Sequence, residues 1–186
     1  MVRYGRNQSL AKFSGEKIIL PILSTNARYT LDKQNIVVTG GGNGPYYLVC
    51  PKPTVTLSIQ YMMAMLSYPV IEAIVRSSSS HFRGDYYSHG RQFIAPLPIR
   101  ILDLNDEVQK TTHDQISNLV DQLITLDSKV KSSHTPRSRL TFVRQRLQLE
   151  NSMFEIIDKL YNVEIDTRKS IQGTLNSDAI QEDGSV

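Results

Sequence analysis

Cysteine is nearly absent from this chain and no long apolar run occurs in it, and each shortage narrows the chemistry. Cys50 stands alone among 186 residues, which excludes an internal disulfide and any multi-cysteine zinc or iron–sulfur site. A lone thiol fits a reducing compartment, so the sequence predicts a cytoplasmic location. Residues Met1–Asn7 include Arg3 and Arg6 but lead into no apolar run of the kind a secretory signal has. The most apolar stretch, Ile59–Val75, is broken by Gln60, Ser67, Pro69 and Glu72. It is too short and too polar to cross a bilayer, and no membrane partner is expected.

Catalytic signatures are missing too. Gly40-Gly41-Gly42-Asn43-Gly44 looks like a phosphate loop, but the third glycine of G-x-G-x-x-G falls at Pro45 and a strand-like run follows. Without a helix N-terminus there is no row of free N–H groups for a pyrophosphate, and the glycines read as a hairpin turn. No pair among His81, His89, His113 and His134 has the i, i+4 spacing of a helical zinc site. Asp85 follows His81 by four, but two ligands beside Gly84 are too few, so no metal is expected. Asp103, Asp106 and Glu107 cluster where a helix begins, the position at which acids stabilise an N-terminus. There is no G-x-S-x-G elbow. Nothing here argues for an enzyme.

What the chain does have is polarity along its length. Net charge is only +3, but residues 1–100 carry 11 Lys/Arg against 4 Asp/Glu, a net of +7, while residues 101–186 carry 10 against 14, a net of −4. A basic half suits a polyanionic partner, although such a face also serves solubility alone. With 40% hydrophobic and 21% charged residues the composition is globular.

Short β-rich runs bounded by Gly, Pro, Asn and Asp occupy the first half: Ile18–Leu23, Arg28–Thr30 and Asn35–Thr39 around a Leu31–Gln34 turn, and Tyr46–Cys50. Leu57, Tyr61, Ala64, Met65 and Tyr68 then fall at helical spacing, predicting a buried helix disturbed near Pro69. Ser77–Ser80 reads as a flexible loop. Tyr86–Ser88, Phe93–Ala95 and Leu97–Ile101 read as edge or terminal strands, since Pro96 and Pro98 cannot donate to a ladder. Further on, Ile116, Leu119, Val120, Leu123, Leu126 and Val130 form one apolar stripe. Leu140, Val143, Leu147, Phe154, Ile157 and Tyr161 form another, beyond a break at Ser132–Pro136. Two amphipathic helices joined by a short loop make a helical hairpin.

The expected architecture is therefore α+β: a mainly antiparallel sheet domain with a buried helix, followed by a C-terminal helical hairpin. Its parts are an irregular lead-in (1–16), the sheet domain (17–104), the hairpin (105–172) and a flexible tail (173–186).

The segment Arg76–Phe93 holds three arginines, two histidines, five serines and several aromatic rings against a single acid, Asp85. Arginine forks onto guanine or phosphate, serine and histidine add hydrogen bonds, and aromatic rings give rigid surface. The same composition also fits a hairpin with core-packed rings and merely exposed arginines, and composition alone leaves both readings open.

Phe82-Arg83-Gly84-Asp85-Tyr86-Tyr87, then Gln92-Phe93-Ile94 and Leu97-Pro98-Ile99, resembles the C-terminal target-recognition (TaqI-like specificity) domain of adenine-N6 DNA methyltransferases of type II restriction-modification systems. Lys17–Ile22 with Arg28-Tyr29 and Asp32, Tyr46-Tyr47-Leu48, Ala64–Ser67 and Ile156–Tyr161 resemble that family's successive segments in the same order, from about Lys17 to Ile171. Asp85 departs from the family's second glycine and Leu66 from the asparagine of its helix motif. No N-P-P-Y or D-P-P-Y tetrapeptide, S-adenosylmethionine loop or Pro-Asp…Asp/Glu-x-Lys nuclease set is present; Asp127-Ser128-Lys129 stands alone on a helix.

The resemblance implies a module that reads double-stranded DNA for a methyltransferase catalytic domain or subunit, with no cofactor in this chain. Arg76, Arg83 and Arg91 are the first expected contacts, with Lys52, His81, His89, Tyr87 and Ser80 beside them. Phe82, Gly84, Tyr86 and Phe93 are expected to be mostly structural. The alternatives are a protein-interaction scaffold built on the hairpin, or a specificity subunit like those of type I systems.

Overall fold

The computed structural model describes residues 15–26, 29–36, 45–79, 81–82 and 86–180. Lys17–Pro21 (β1) lies between Thr30–Asp32 (β3) and Tyr46–Val49 (β4), antiparallel to both, with Ile18 opposite Leu31 on one side and Val49 on the other. After a kink at Ile22 the chain continues as Leu23–Ser24 (β2), which pairs antiparallel with Tyr86–Ser88 (β6); β6 in turn pairs with His81–Phe82 (β5). Ile22 joins the two sheets, its N–H donating to Pro45 O at 2.9 Å and its carbonyl accepting from His89 N–H at 2.7 Å.

The predicted Leu31–Gln34 turn is displaced. Leu31 and Asp32 belong to β3, and the turn follows, closed by the Asp32 carboxylate accepting from Gln34 and Ile36 N–H at 2.8 Å each while Asn35 takes a left-handed φ of 57°. Asp32 is free to cap this turn because its other partner, the buried Lys17 ammonium, sits across the β1–β3 pair. The Gly40–Gly44 turn expected from the sequence lies outside the described residues.

The Lys17 hydrogen bond, ahead of those from Gln34 and Ile36, holds Asp32 below the ordinary carboxylate range. A carboxylate depressed by folding stabilises above its unfolded pKa of about 3.9 and loses that contribution as pH falls through the folded value. The stability gap between wild type and Asp32→Asn is therefore expected to narrow below about pH 4. Urea unfolding from neutral to acid pH measures it, and a constant gap would refute the linkage.

The expected buried helix is two: Ile59–Leu66 (α1) and Pro69–Ser78 (α2). Pro69 occupies the first turn of α2, where its missing N–H costs nothing, and Tyr68 before it is extended as a residue preceding proline prefers. α2 runs through Ser77 and Ser78, where the sequence predicts a loop. Ser58 caps α1 by accepting from Tyr61 N–H at 3.0 Å.

The strands expected at 93–95 and 97–101 do not form. Arg91–Ile94 is a single helical turn (α3) ended by Pro96, and 97–101 pairs with no strand. Tyrosine hydroxyls take its main-chain groups instead. Tyr61 donates to Arg100 O at 2.9 Å, while Tyr161 donates to Pro98 O at 2.8 Å and accepts from Arg100 N–H at 3.0 Å.

Glu107–Ser132 (α4) and Pro136–Tyr161 (α5) form the hairpin, with Asp106 and Thr135 as N-caps and left-handed Asn162 closing α5. One apolar cluster joins the hairpin to the sheets: Ile116, Val120, Leu123, Met153, Phe154 and Ile157 pack with Ile18, Leu20, Tyr61, Met65 and Ile71. Each such side chain contributes about 1.5–3 kcal/mol of burial. His113 adds a polar tie, its Nε2 accepting from Ser58 N–H at 3.0 Å. A helix that the apolar pattern does not predict, Ile165–Ile180 (α6), continues past Gln172 and packs against α2. No helix among the described residues is long and apolar enough to cross a membrane.

Candidate nucleic-acid interface

In the order β3-β1-β4, β4 is an edge, and an apolar cleft of about 500 Å³ opens beside it. Leu20, Leu48, Met62, Leu66, Ile94 and Ile99 make its floor and walls. Lys52, Arg91 and Tyr47 stand at its rim, all exposed. Tyr47 and Arg91 also line an adjoining cleft of about 470 Å³ with Ile22, Ser88, Gly90 and Gln92. Among the described residues, neither cleft has an Asp or Glu in its lining.

Local chemistry sets this rim. Pro51 and Pro53 end β4 and leave Lys52 in a surface loop. Gly90 precedes α3 in extended conformation, which projects Arg91 from the first helical position. A Cβ at residue 90 would come within a tight 3.3 Å of Ser88 Oγ and make an ordinary 3.9 Å contact with the Tyr47 ring.

Two of the expected contact residues lie inside instead. Arg76 is buried on α2 beside Glu72, one turn earlier, with Nε donating to Glu72 Oε1 at 3.2 Å. Its Nη2 donates to Thr25 O and, at 2.9 Å, to Asn26 Oδ1, and its guanidinium lies over the Tyr87 ring at 4.9 Å. His89 is fully buried, with Nε2 3.0 Å from Glu72 Oε2 and Nδ1 3.1 Å from Tyr87 O. The reason is shared: Glu72 is a buried carboxylate that needs partners, and these are the two cationic or donor side chains that meet it. Arg76 and His89 thus brace β6 and the β2 turn from behind. Nearby, burial and the Glu72 charge push the Tyr29 phenol well above its usual range.

Tyr87 is half-buried against Arg76, whereas Tyr86 is exposed and Phe93 packs on the core cluster. The His81 backbone pairs with Tyr87 in β5–β6; its side chain, Ser80 and Arg83 lie outside the described residues. Of the expected set, the fold brings Lys52, Arg91 and the buried His89 to one cleft, the first two exposed. Tyr47 is a rim residue that the sequence reading does not single out; its signal is two tyrosines in succession at a strand start after Pro45, one of which a half-buried strand must expose.

Cationic and aromatic groups around a cleft that shows no Asp or Glu among the described residues can hold phosphate and stack or fork onto a base. No group of three or more His, Cys, Asp or Glu among the described residues could hold a metal ion.

No family profile matches the chain. Over 162 residues it is 31% identical to RM.Eco57I of Escherichia coli, a type II restriction enzyme and methyltransferase. The match covers 87% of this chain and 16% of that protein, so the chain spans about a sixth of its relative's length. The chain is thus related to restriction-modification proteins.

Proposed function

From this relationship we propose that the chain is a DNA target-recognition module of a restriction-modification adenine-N6 methyltransferase, and that its catalytic machinery lies elsewhere in the protein or on another subunit. The observation that carries this reading is the rim of Lys52, Tyr47 and Arg91 on a cleft that has no Asp or Glu among the described residues, beside β4, the edge strand of the described sheet. Arg91 supplies a planar fork for guanine or phosphate, Lys52 a point charge, and Tyr47 a stiff ring face. Tyr87, half-buried beside Arg76, is a further proposed contact. The methyl donor is proposed to bind in the portion of such a protein that this chain does not span.

Binding to a labelled duplex, followed by fluorescence anisotropy as salt is raised, tests the reading. Wild type should bind at about 50 mM salt and lose affinity linearly on logarithmic axes, at about 0.9 in slope per phosphate contacted. Removing both rim cations, Lys52→Ala with Arg91→Ala, should lower the slope by about 2 and weaken binding roughly 10-fold or more at low salt. Absence of wild-type binding at low salt would overturn the proposal, and an unchanged slope in the double variant would overturn the rim as the contact.

A further inference from the structure

The helical half is acidic as a whole, but its acid and base are segregated. Between Asp127 and Glu150 the chain has six Lys/Arg and not one Asp/Glu; the rest of residues 101–186 has four against fourteen. We propose that this outer end of the α4–α5 hairpin is a second grip on duplex DNA, holding backbone phosphates beside the stretch met by the sheet rim. The inference rests on the DNA reading above.

Most of this charge is uncommitted. Arg146 is held within the hairpin, its Nε donating to Asp127 Oδ1 at 2.6 Å and its Nη1 3.3 Å from Glu150 Oε1. Lys129, Lys131, Arg137, Arg139 and Arg144 are exposed, and among the described residues none of the five forms an ion pair. Lys129 does reach over the Phe142 ring, at 5.9 Å. Five uncompensated cations repel one another at the end of two helices, which costs the fold stability unless an anion meets them.

The charge also stands clear of the core. The core cluster takes no α4 residue beyond Ile124 and no α5 residue before Leu149. The intervening turns pack helix on helix, through Leu126 and the Arg146–Asp127 pair. At 1.5 Å per residue the stalk extends roughly 12–20 Å past the core, the span of about 4–6 base pairs.

The tip, finally, is concave. A hollow of about 420 Å³ is lined by Lys129, Ser132, Ser133, His134, Thr135 and Ser138, with Phe142 at its base. Hydroxyls, a cation and an imidazole without a carboxylate are the side chains that meet phosphate oxygens. Leu140 and Leu147, about half exposed, lie on the same helix, seven residues apart. The sign of the charge matches the rim at Lys52 and Arg91, so one polyanion satisfies both.

Anisotropy titration of the full chain with a labelled duplex of about 30 base pairs separates this from the parent reading. A variant with Lys129, Lys131, Arg137, Arg139 and Arg144 changed to Gln should bind roughly 10- to 100-fold more weakly, with a salt slope smaller by about 2–4. A lighter variant, R137Q with R144Q, removes two charges from one face of α5 and should lower the slope by about 2, which covers misfolding of the fivefold variant. Circular dichroism confirms that each variant remains folded. Wild-type binding with an unchanged slope in both variants overturns the second grip and leaves the basic tip to an acidic protein surface. Failure of wild type to bind duplex at all overturns the DNA reading and this inference with it.

Discussion

Glu72→Ala is expected to cost the chain about 3–5 kcal/mol of folding stability, the range for removing one partner of a buried ion pair. Glu72 is 3% exposed and holds Arg76 on one side and His89 on the other. Without it the Arg76 guanidinium loses the carboxylate that its Nε meets, in a site where its Nη2 also donates to Thr25 O, Asn26 Oδ1 and Leu175 O. His89 loses the oxygen facing Nε2. The damage should spread to the interface, because His89 N–H donates to Ile22 O where the two sheets join and its ring holds Tyr87 O. Urea unfolding reads the loss as a midpoint lowered by about 1.5–2.5 M for a slope near 2 kcal/mol/M. Exchange of the Ser88 and His89 amides should accelerate with it. Changing Glu72 and Arg76 together to apolar residues of similar volume should cost less than Glu72→Ala alone, because no unpaired charge is left behind. A single-variant loss under about 1 kcal/mol would contradict the network as the support of β6.

Asp158→Ala should be comparably severe, about 3–5 kcal/mol, by the same logic at the other end of the core. Arg168 is fully buried, and its Nε donates to Asp158 Oδ2 at 2.9 Å with the guanidinium over the Phe154 ring at 5.5 Å. Tyr68 donates to Asp158 Oδ1 at 2.6 Å; burial and the neighbouring carboxylate push its phenol well up, so it stays a donor at neutral pH. Alanine strands a charge and a hydroxyl in one step. Asp158 and Arg168 also tie α5 to α6, so the variant should release α6, visible as lost helical signal and faster amide exchange over residues 165–175 before global unfolding. Changing Asp158 and Arg168 together to apolar residues of similar volume is the milder control, because no unpaired charge is left behind. Retained protection of α6 in Asp158→Ala would show that its packing on α2 suffices.

α6 also marks a limit of the sequence. It has no apolar stripe to detect, and its buried anchor is an arginine, which periodicity counts as solvent-facing. The strands expected at 93–101 fail for a related reason. Their apolar alternation is real, but whether main-chain groups meet a neighbouring strand or a tyrosine hydroxyl is fixed by residues 30–60 positions away. The hairpin is legible because its signals are local: an Asp106 cap, the Ile116–Leu126 stripe, Pro136 at a first turn. So is the α+β architecture, from strand-like runs followed by helical periods.

By itself, then, the sequence determined a strand-rich first half, a helical hairpin after it, the proline and cap boundaries, and a basic half ahead of an acidic one. The tertiary structure decided which cations are available. Arg76 and Arg91 carry the same guanidinium fifteen residues apart, yet one neutralises a buried carboxylate and the other rims an open cleft. Local sequence encodes a residue's charge and helical phase, but burial depends on which surfaces meet, and in low dielectric an acid claims the nearest base.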